Sequence, residues 1–117
     1  MIVAPTPGIG ETLLDWFHKA GYDVALAQSF ESAKLQLDDR LDLLVSELKL
    51  AEYNGLHLAL RAQARHIASI VMGVHDPVLE RDAEQIGVIY VREEVGCDEL
   101  LALADIAIAQ RARSRTV

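Results

Sequence analysis

The chain has 117 residues, 51% of them hydrophobic, and its 18 acidic and 11 basic side chains give a formal net charge of −7 at pH 7. This length suits one domain with a single sizeable core and leaves no room for a second. The acidic balance excludes general attraction to nucleic acid or anionic lipid, because such binding needs clustered Lys and Arg.

The sequence also predicts a cytoplasmic protein without a membrane anchor. No apolar run reaches about 18 residues, and the apolar start breaks at Pro5, so neither a membrane span nor a signal peptide is expected. Cys97 is the single cysteine, which excludes an internal disulfide framework and a cysteine metal cluster.

Strand and helix patterns alternate five times along the chain. Short apolar runs predict five strands, over residues 1–4, 22–26, 41–46, 67–74 and 88–92, with a loop over 48–54. Helical spacing predicts five helices, over residues 11–20, 29–37, 55–65, 77–87 and 98–111. Ser29 and Asp76 are the expected N-caps, and Trp16 and Phe17 are expected in the core. Strands linked by long helical crossovers run parallel, so we expect a parallel α/β sheet covered by helices on both faces.

Four segments in this order resemble the receiver domain of bacterial response regulators over nearly the whole chain. They are Ile2-Val3 with Gly21-Tyr22-Asp23-Val24, residues 42–56, Ile70-Val71-Met72 before Gly73, and Gly87 with Tyr90-Val91-Arg92. The resemblance implies a flavodoxin-like (βα)5 three-layer fold, with sheet order 2-1-3-4-5 and a pocket at the carboxyl ends of strands 1 and 3. The domain is expected over residues 1–112, with a basic tail or the start of a linker over 113–117.

The resemblance places the family's phosphorylation pocket at positions where this chain lacks the usual chemistry. In the family, an acidic pair after strand 1 and an acceptor aspartate hold a divalent cation through oxygen ligands. Here Ala4 and Pro5 replace the pair, and Glu47 stands in the acceptor position. One carboxylate is too few for Mg²⁺, and the longer Glu47 side chain misplaces the nucleophilic oxygen. We therefore expect neither a magnesium cofactor nor phosphoryl transfer.

Two further pocket positions depart from the family. Gly73 replaces the hydroxyl residue after strand 4, and Glu93 replaces the lysine that pairs with the phosphoryl group. A register slip by one residue offers Arg92 as the cation instead. The family's proline after the lysine is Glu94, so a trans peptide bond is expected there. Tyr90 stands where the resemblance implies an aromatic that swings inward on phosphorylation, and we expect it to be fixed at the sheet edge.

The last helix carries the positive signal for function. Residues 100–109 contain a single charge, so the helix is apolar nearly all round and needs a cover on its outer face. If Leu100 faces the sheet, Leu101 and Ile108 point outward, close to Val78 of the preceding helix. The resemblance implies that receivers use this face to dimerise or to hold a partner. The alternative is an Ala-rich helix with scattered exposed leucines.

The remaining titratable residues are interpreted as surface groups. His75 and Asp76 form an acid-base pair only if their loop converges on Glu47. The other histidines lie far apart without metal-ligand spacing, at His18, His57 and His66. Arg111, with Arg113 and Arg115, is expected in a solvated helix end, or alternatively in a phosphate contact or linker.

These observations predict a degenerate receiver domain that is not an enzyme and acts as a phosphorylation-independent interaction or homodimerisation module. No DNA-binding motif is present in the segment, and its basic end suits a C-terminal output domain in a longer protein. Two alternatives stay open: a phosphoacceptor receiver using Glu47 or Asp42, and a small-ligand sensor using the crevice opened by Ala4 and Gly73. Glu47 as a permanent phosphoaspartate mimic is disfavoured, because one carboxylate lacks the charge and three oxygens of a phosphoryl group.

Overall fold

The described residues form seven strands and five helices, which alternate except where three strands follow one another in the middle of the chain. A computed structural model describes the backbone of residues 1–115 and the side chains of residues 1–112. The strands are β1 (Ile2–Val3), β2 (Leu26–Ala27), β3 (Leu43–Glu47), β4 (Lys49–Leu50), β5 (Tyr53–Asn54), β6 (Ala68–Gly73) and β7 (Ile89–Arg92). The helices are α1 (Ile9–Lys19), α2 (Phe30–Gln36), α3 (Gly55–Ala64), α4 (Pro77–Gln85) and α5 (Cys97–Arg115). Within residues 1–115, no helix has the length and apolar character that crossing a membrane requires.

The main sheet confirms the predicted topology. Its order is β2-β1-β3-β6-β7, and every neighbouring pair runs parallel. With the β4–β5 hairpin set aside, this is the predicted 2-1-3-4-5 order. Side chains alternate between the two faces along β3: Val45 packs with α1 and α5 in one core cluster, and Leu44 packs with α2 and α3 in another. The side chains of β3 are thus shared between the two faces of the sheet. The sheet is therefore the middle of three layers, with α1 and α5 on one face and α2 and α3 on the other.

The second strand is shorter than predicted. The sequence predicts residues 22–26, whereas β2 holds only Leu26 and Ala27. Tyr22 folds back on α1, where its amide donates to the Phe17 carbonyl at 3.0 Å and the two rings meet edge to face, 5.1 Å apart. The apolar residue Tyr22 that suggested a strand therefore packs beside α1 instead.

A two-stranded hairpin occupies the segment predicted as a loop. β4 and β5 pair antiparallel, with Lys49 opposite Asn54 and Leu50 opposite Tyr53. Ala51 adopts φ 57° in the turn between them, a conformation usually taken by Gly or Asn. The prediction of a loop was wrong because the turn carries neither of these signal residues.

Arg111 is anchored to the sheet, which corrects the expectation of a solvated helix end. Its side chain is 14% exposed, and its Nη1 lies 3.0 Å from Asp42 Oδ1. The same nitrogen donates to the Asp42 carbonyl at 3.4 Å and the Leu41 carbonyl at 3.5 Å. Arg111 thus ties α5 to the start of β3.

The last helix continues past the predicted domain boundary. α5 runs through residue 112 to Arg115. The side chains of residues 113–115, and residues 116–117 entirely, lie outside the described part of the chain. The basic tail over residues 113–117 therefore stays a prediction.

Candidate functional site

The residues predicted to mark a degenerate pocket share one edge of the sheet. Ala4 follows β1, Glu47 ends β3, Gly73 ends β6, and Glu93 follows β7. All four strands are parallel, so their carboxyl ends meet at this edge. The Glu93 amide donates to the Gly73 carbonyl at 3.0 Å, which ties the last loop to the end of β6. No cis peptide bond occurs among the described residues, so the bond between Glu93 and Glu94 is trans, as predicted.

Glu47 is a buried carboxylate held by one backbone amide. The residue is 9% exposed, and its Oε2 accepts from the Thr6 N–H at 2.9 Å. This bond closes the loop between β1 and α1 over the side chain. Within the described residues no basic side chain pairs with Glu47.

The donor set at this edge does not fit a resident magnesium ion. The side chains of Ala4 and Pro5 carry no ligating atom, and Glu47 already uses one carboxylate oxygen on Thr6. Among the described residues no group of three or more His, Cys, Asp or Glu side chains is arranged to hold a metal. Mg²⁺ in protein sites demands octahedral oxygen ligation, and one partly engaged carboxylate supplies little of it.

Gly73 and Tyr90 form a pair that sequence reasoning missed. A Cβ built on Gly73 meets the Tyr90 hydroxyl oxygen and lies 3.1 Å from the Leu48 Cβ. The Tyr90 hydroxyl fills this space and donates to the Val74 carbonyl at 2.7 Å. The ring is half-buried against the cluster under α3 and α4. The lack of a side chain at Gly73 therefore allows Tyr90 to lie across the end of β6, rather than only removing a hydroxyl as the sequence suggested.

Burial and neighbouring carboxylates raise the pKa of Tyr90 above its ordinary value; the carboxylates are Asp76, Glu80 and Glu93. The pKa of Tyr22 is raised as well, by burial and by Asp105, whose Oδ1 accepts from the Tyr22 hydroxyl at 3.3 Å. The neutral phenols are thus favoured by the folded state.

We expect the free energy of unfolding to fall at alkaline pH. Tyrosine titrates near pH 10 in the unfolded chain. The two raised phenols contribute stability that is fully present below that pH and is lost as the pH rises through their higher folded values. Urea unfolding between about pH 8 and 11 measures this loss, which Tyr90→Phe reduces. An unchanged alkaline slope in both Tyr90→Phe and Tyr22→Phe contradicts the assignment.

Arg92 and His75 lie away from Glu47. Arg92 Nη2 lies 2.8 Å from His75 Nδ1, and its Nε lies 3.6 Å from Glu80 Oε1 on α4. His75 also faces Glu80 at 3.4 Å, whereas Asp76 caps α4 by accepting from two backbone amides. This arrangement does not bring His75 to Glu47, and it commits the Arg92 side chain to α4 rather than to the pocket.

A cavity of about 310 Å³ opens at the same edge, between α1 and the segment after β7. Glu47 and Glu93 line it together with Trp16, which the sequence placed in the core. Phe17 is buried at 3% exposure, as predicted. Trp16 is half-buried and packs against the same core cluster, so its ring contributes to the core and to the cavity wall. Apolar periodicity predicts the first contact and not the second.

The outer face of α4, β7 and α5 differs in detail from the predicted interface. Val78 is 68% exposed and Ile106 is 48% exposed, whereas Leu101 and Ile108 are half-buried and pack against the core. At about 100° per residue, Leu101 and Ile108 share a flank with Asp105, which bonds Tyr22 beside α1. Leu101 and Ile108 therefore turn toward α1, which corrects their expected outward position.

Neither a protein family model nor a curated protein sequence matches this chain. Solved structures do match. A response regulator receiver domain protein from Clostridium thermocellum superposes with a TM-score of 0.85 at 18% identity, covering 95% of this chain and 94% of that one. A beryllofluoride-activated NtrC4 receiver domain dimer gives 0.81 at 15%, with coverages of 94% and 95%. NtrX from Brucella abortus gives 0.81 at 18%, covering 98% of this chain and 27% of that one. The chain has the fold of response-regulator receiver domains.

Proposed function

We propose that this chain is a receiver-like signalling domain of a bacterial two-component system that works without phosphorylation, as a module for homodimerisation or binding of a protein partner. It is a cytoplasmic, non-enzymatic domain in this proposal, and a C-terminal output domain follows it in a longer protein. NtrX, of which this segment corresponds to about a quarter, is a similar structure with a longer chain, which supports a place in a longer protein.

The observation that carries the proposal is the position of Tyr90. In the family that this chain resembles, the aromatic at this position moves inward in response to phosphorylation. Here the Tyr90 hydroxyl is bonded to the Val74 carbonyl at 2.7 Å, in the space that Gly73 leaves free. The bond requires no phosphoryl group, so the face around β7 keeps one arrangement without a phosphodonor.

The chemistry around Glu47 supports the same reading. Phosphoryl transfer to a carboxylate needs a cation to offset the charge of donor and nucleophile. Ala4 and Pro5 supply no metal ligand, Gly73 supplies no hydroxyl, and Glu93 is acidic where a cation is needed. Glu47 is therefore a structural carboxylate in this proposal and not an acceptor.

The interface that we propose is centred on Ile106 and Val78. Both are exposed apolar side chains, Val78 on α4 and Ile106 on α5. One of the similar structures is described as a receiver domain dimer, which supports a second copy of this chain as the first partner to test. An exposed apolar patch rimmed by polar residues is typical of an interaction site.

We expect the wild-type protein to be dimeric at micromolar concentration in sedimentation equilibrium without a phosphodonor. Ile106→Glu should weaken the dimer at least tenfold, because it places an unpaired charge in the interface. Leu35→Glu is the matched control, since Leu35 is 85% exposed on α2, away from this face. Leu101 is a poorer target, because its side chain packs against the core.

The same samples test the absence of phosphorylation. Incubation with acetyl phosphate and Mg²⁺ should leave both the intact mass and the association constant unchanged. A species heavier by one phosphoryl group would restore the phosphoacceptor alternative at Glu47 or Asp42. A monomeric wild type, or an equal effect of Ile106→Glu and Leu35→Glu, would reject homodimerisation through this face.

A further inference from the structure

The cavity beside Glu47 has the form of a small-molecule site. Its volume of about 310 Å³ lies at the lower end of the range usual for ligand pockets. Trp16, Met72 and Val95 form part of an apolar wall, and Glu47 and Glu93 bring carboxylates to it. The Thr12 hydroxyl donates to the Gly8 carbonyl at 2.9 Å, so its lone pairs remain free as acceptors. The cavity therefore offers oxygen acceptors and apolar surface together.

Glu47 lines this cavity, and one of its two carboxylate oxygens has no protein donor among the described residues. The residue is 9% exposed, and its Oε2 is bonded to the Thr6 amide. Among the described residues, no hydrogen bond to its Oε1 is made by a side chain or backbone group. Solvent reaches Oε1. The protein supplies one amide to this carboxylate, so a donor on a ligand can take the place of water at Oε1.

No basic side chain lies in the cavity to meet this charge. Its described lining contains no Lys, Arg or His, and neither Glu47 nor Glu93 joins any ion pair found in residues 1–112. The nearby Arg92 is engaged with His75 and Glu80 on the other side of β7. The local charge is thus negative and without a protein counterion.

We infer that this cavity binds a small organic cation, an ammonium or guanidinium group on an apolar body no larger than one aromatic ring. The cationic group donates to Glu47 Oε1 and pairs with Glu93, and the apolar body packs on Met72 and Val95. The Trp16 ring contacts the cationic group or the apolar body of the ligand with its face or its edge. The inference is independent of dimerisation and concerns a different surface of the domain.

An organic cation fits the cavity better than a metal ion. A hard divalent cation needs several oxygen ligands and usually keeps its water, whereas much of this wall is hydrocarbon. An ammonium group needs only a few acceptors, and its hydrocarbon body gains from the apolar wall. The mixture of two carboxylates with Trp16, Met72 and Val95 is therefore selective for amphipathic cations.

Titration of the uniformly ¹⁵N-labelled protein with phenethylamine tests the inference by amide chemical shifts. We expect saturable shifts at millimolar ligand that are centred on Thr6, Gly8, Glu47 and Glu93. The neutral analogue 2-phenylethanol, which has the same shape, should bind at least tenfold more weakly. MgCl2 at the same concentration should not displace the amine.

Substitution of the two carboxylates tests whether the amine binds in this cavity. Glu47→Gln keeps an oxygen for the Thr6 amide and should weaken phenethylamine binding at least tenfold, and Glu93→Gln, an exposed change, should weaken it several-fold. Glu52→Gln, in the exposed hairpin turn, is the matched control and should leave binding unchanged. The inference is overturned if no saturable shift occurs, if the alcohol binds as well as the amine, if both carboxylate variants bind normally, or if Mg²⁺ displaces the amine. None of these results alters the sedimentation test of dimerisation.

Discussion

Gly73→Ala is expected to lower the free energy of unfolding by about 2–4 kcal/mol. The new Cβ meets the Tyr90 hydroxyl oxygen and lies 3.1 Å from both the Cβ and Cδ2 of Leu48. Overpacking of this kind costs about 1–3 kcal/mol, and loss of the bond from Tyr90 to Val74 adds about 0.5–1.5 kcal/mol. Urea unfolding at neutral pH measures the change.

A double-mutant cycle isolates the contact between positions 73 and 90. Tyr90→Phe alone should cost about 1 kcal/mol, because the Val74 carbonyl loses its donor but remains near solvent. The same change made in Gly73→Ala removes the oxygen that the Cβ meets, so it should recover stability rather than reduce it. A coupling energy of at least about 1 kcal/mol is expected for residues in such contact. Additive effects would show that the two side chains are independent.

The cycle bears directly on the proposed function. If a side chain at position 73 and the Tyr90 ring compete for one space, Tyr90 can keep its observed position only while residue 73 lacks a side chain. Gly73→Thr would then restore the hydroxyl that receiver domains carry at this position only by displacing Tyr90. The absence of that hydroxyl and the fixed aromatic are thus a single structural feature and not two separate losses.

The sheet could be predicted from the sequence because its signals are local and repeated. β3 and β6 are buried on both faces, and each contains an unbroken apolar run, over residues 43–45 and 70–72. Asp76 and Pro77 mark the start of α4, and Gly87, with φ 77°, follows its end. Each of these features depends on the residue types within the element itself and not on partners distant in sequence.

The elements that were predicted wrongly depend on contacts distant in sequence. Residues 22–25 belong to a short apolar run of the kind that forms strands, but Tyr22 is held by Phe17 and Asp105. Arg111 looks like a surface cation until Asp42, 69 positions away, is brought beside it. Composition and periodicity carry no information about such partners.

The candidate site shows the same division. That Glu47, Gly73 and Glu93 share an edge follows from parallel topology and could be predicted. The direction in which each side chain turns could not be predicted. Trp16 lines a cavity and Leu101 lies beside α1, yet both positions fit an apolar helical stripe equally well. The rotation of α1 and α5 about their own axes decides these positions, and it is set by packing across the whole layer.

Gly55→Ala is the second substitution with a large expected effect. A Cβ at this position lies 2.5 Å from the Glu47 carbonyl oxygen and 3.2 Å from both Ser46 Oγ and Val71 Cγ1. Backbone cannot move aside as a flexible side chain does, so α3 must shift away from the end of β3. We expect a loss of about 2–3 kcal/mol in the free energy of unfolding, which corresponds to a melting temperature lower by about 10 °C.

Gly96→Ala is the matched control for Gly55→Ala. No atom lies within 4 Å of a Cβ built on Gly96, and its φ is not in the left-handed region. Gly96 precedes α5 and its carbonyl accepts from the Leu100 amide, a position where Ala is less favourable than Gly. The change should therefore cost at most about 1 kcal/mol, because the loss of chain entropy in the unfolded state offsets part of this cost. An equally large loss from both substitutions would contradict the collision at Gly55. A loss of stability confined to Gly55→Ala would show that the start of α3 must approach the backbone of β3 directly. The contact is made at Glu47, whose side chain lies beneath the loop after β1.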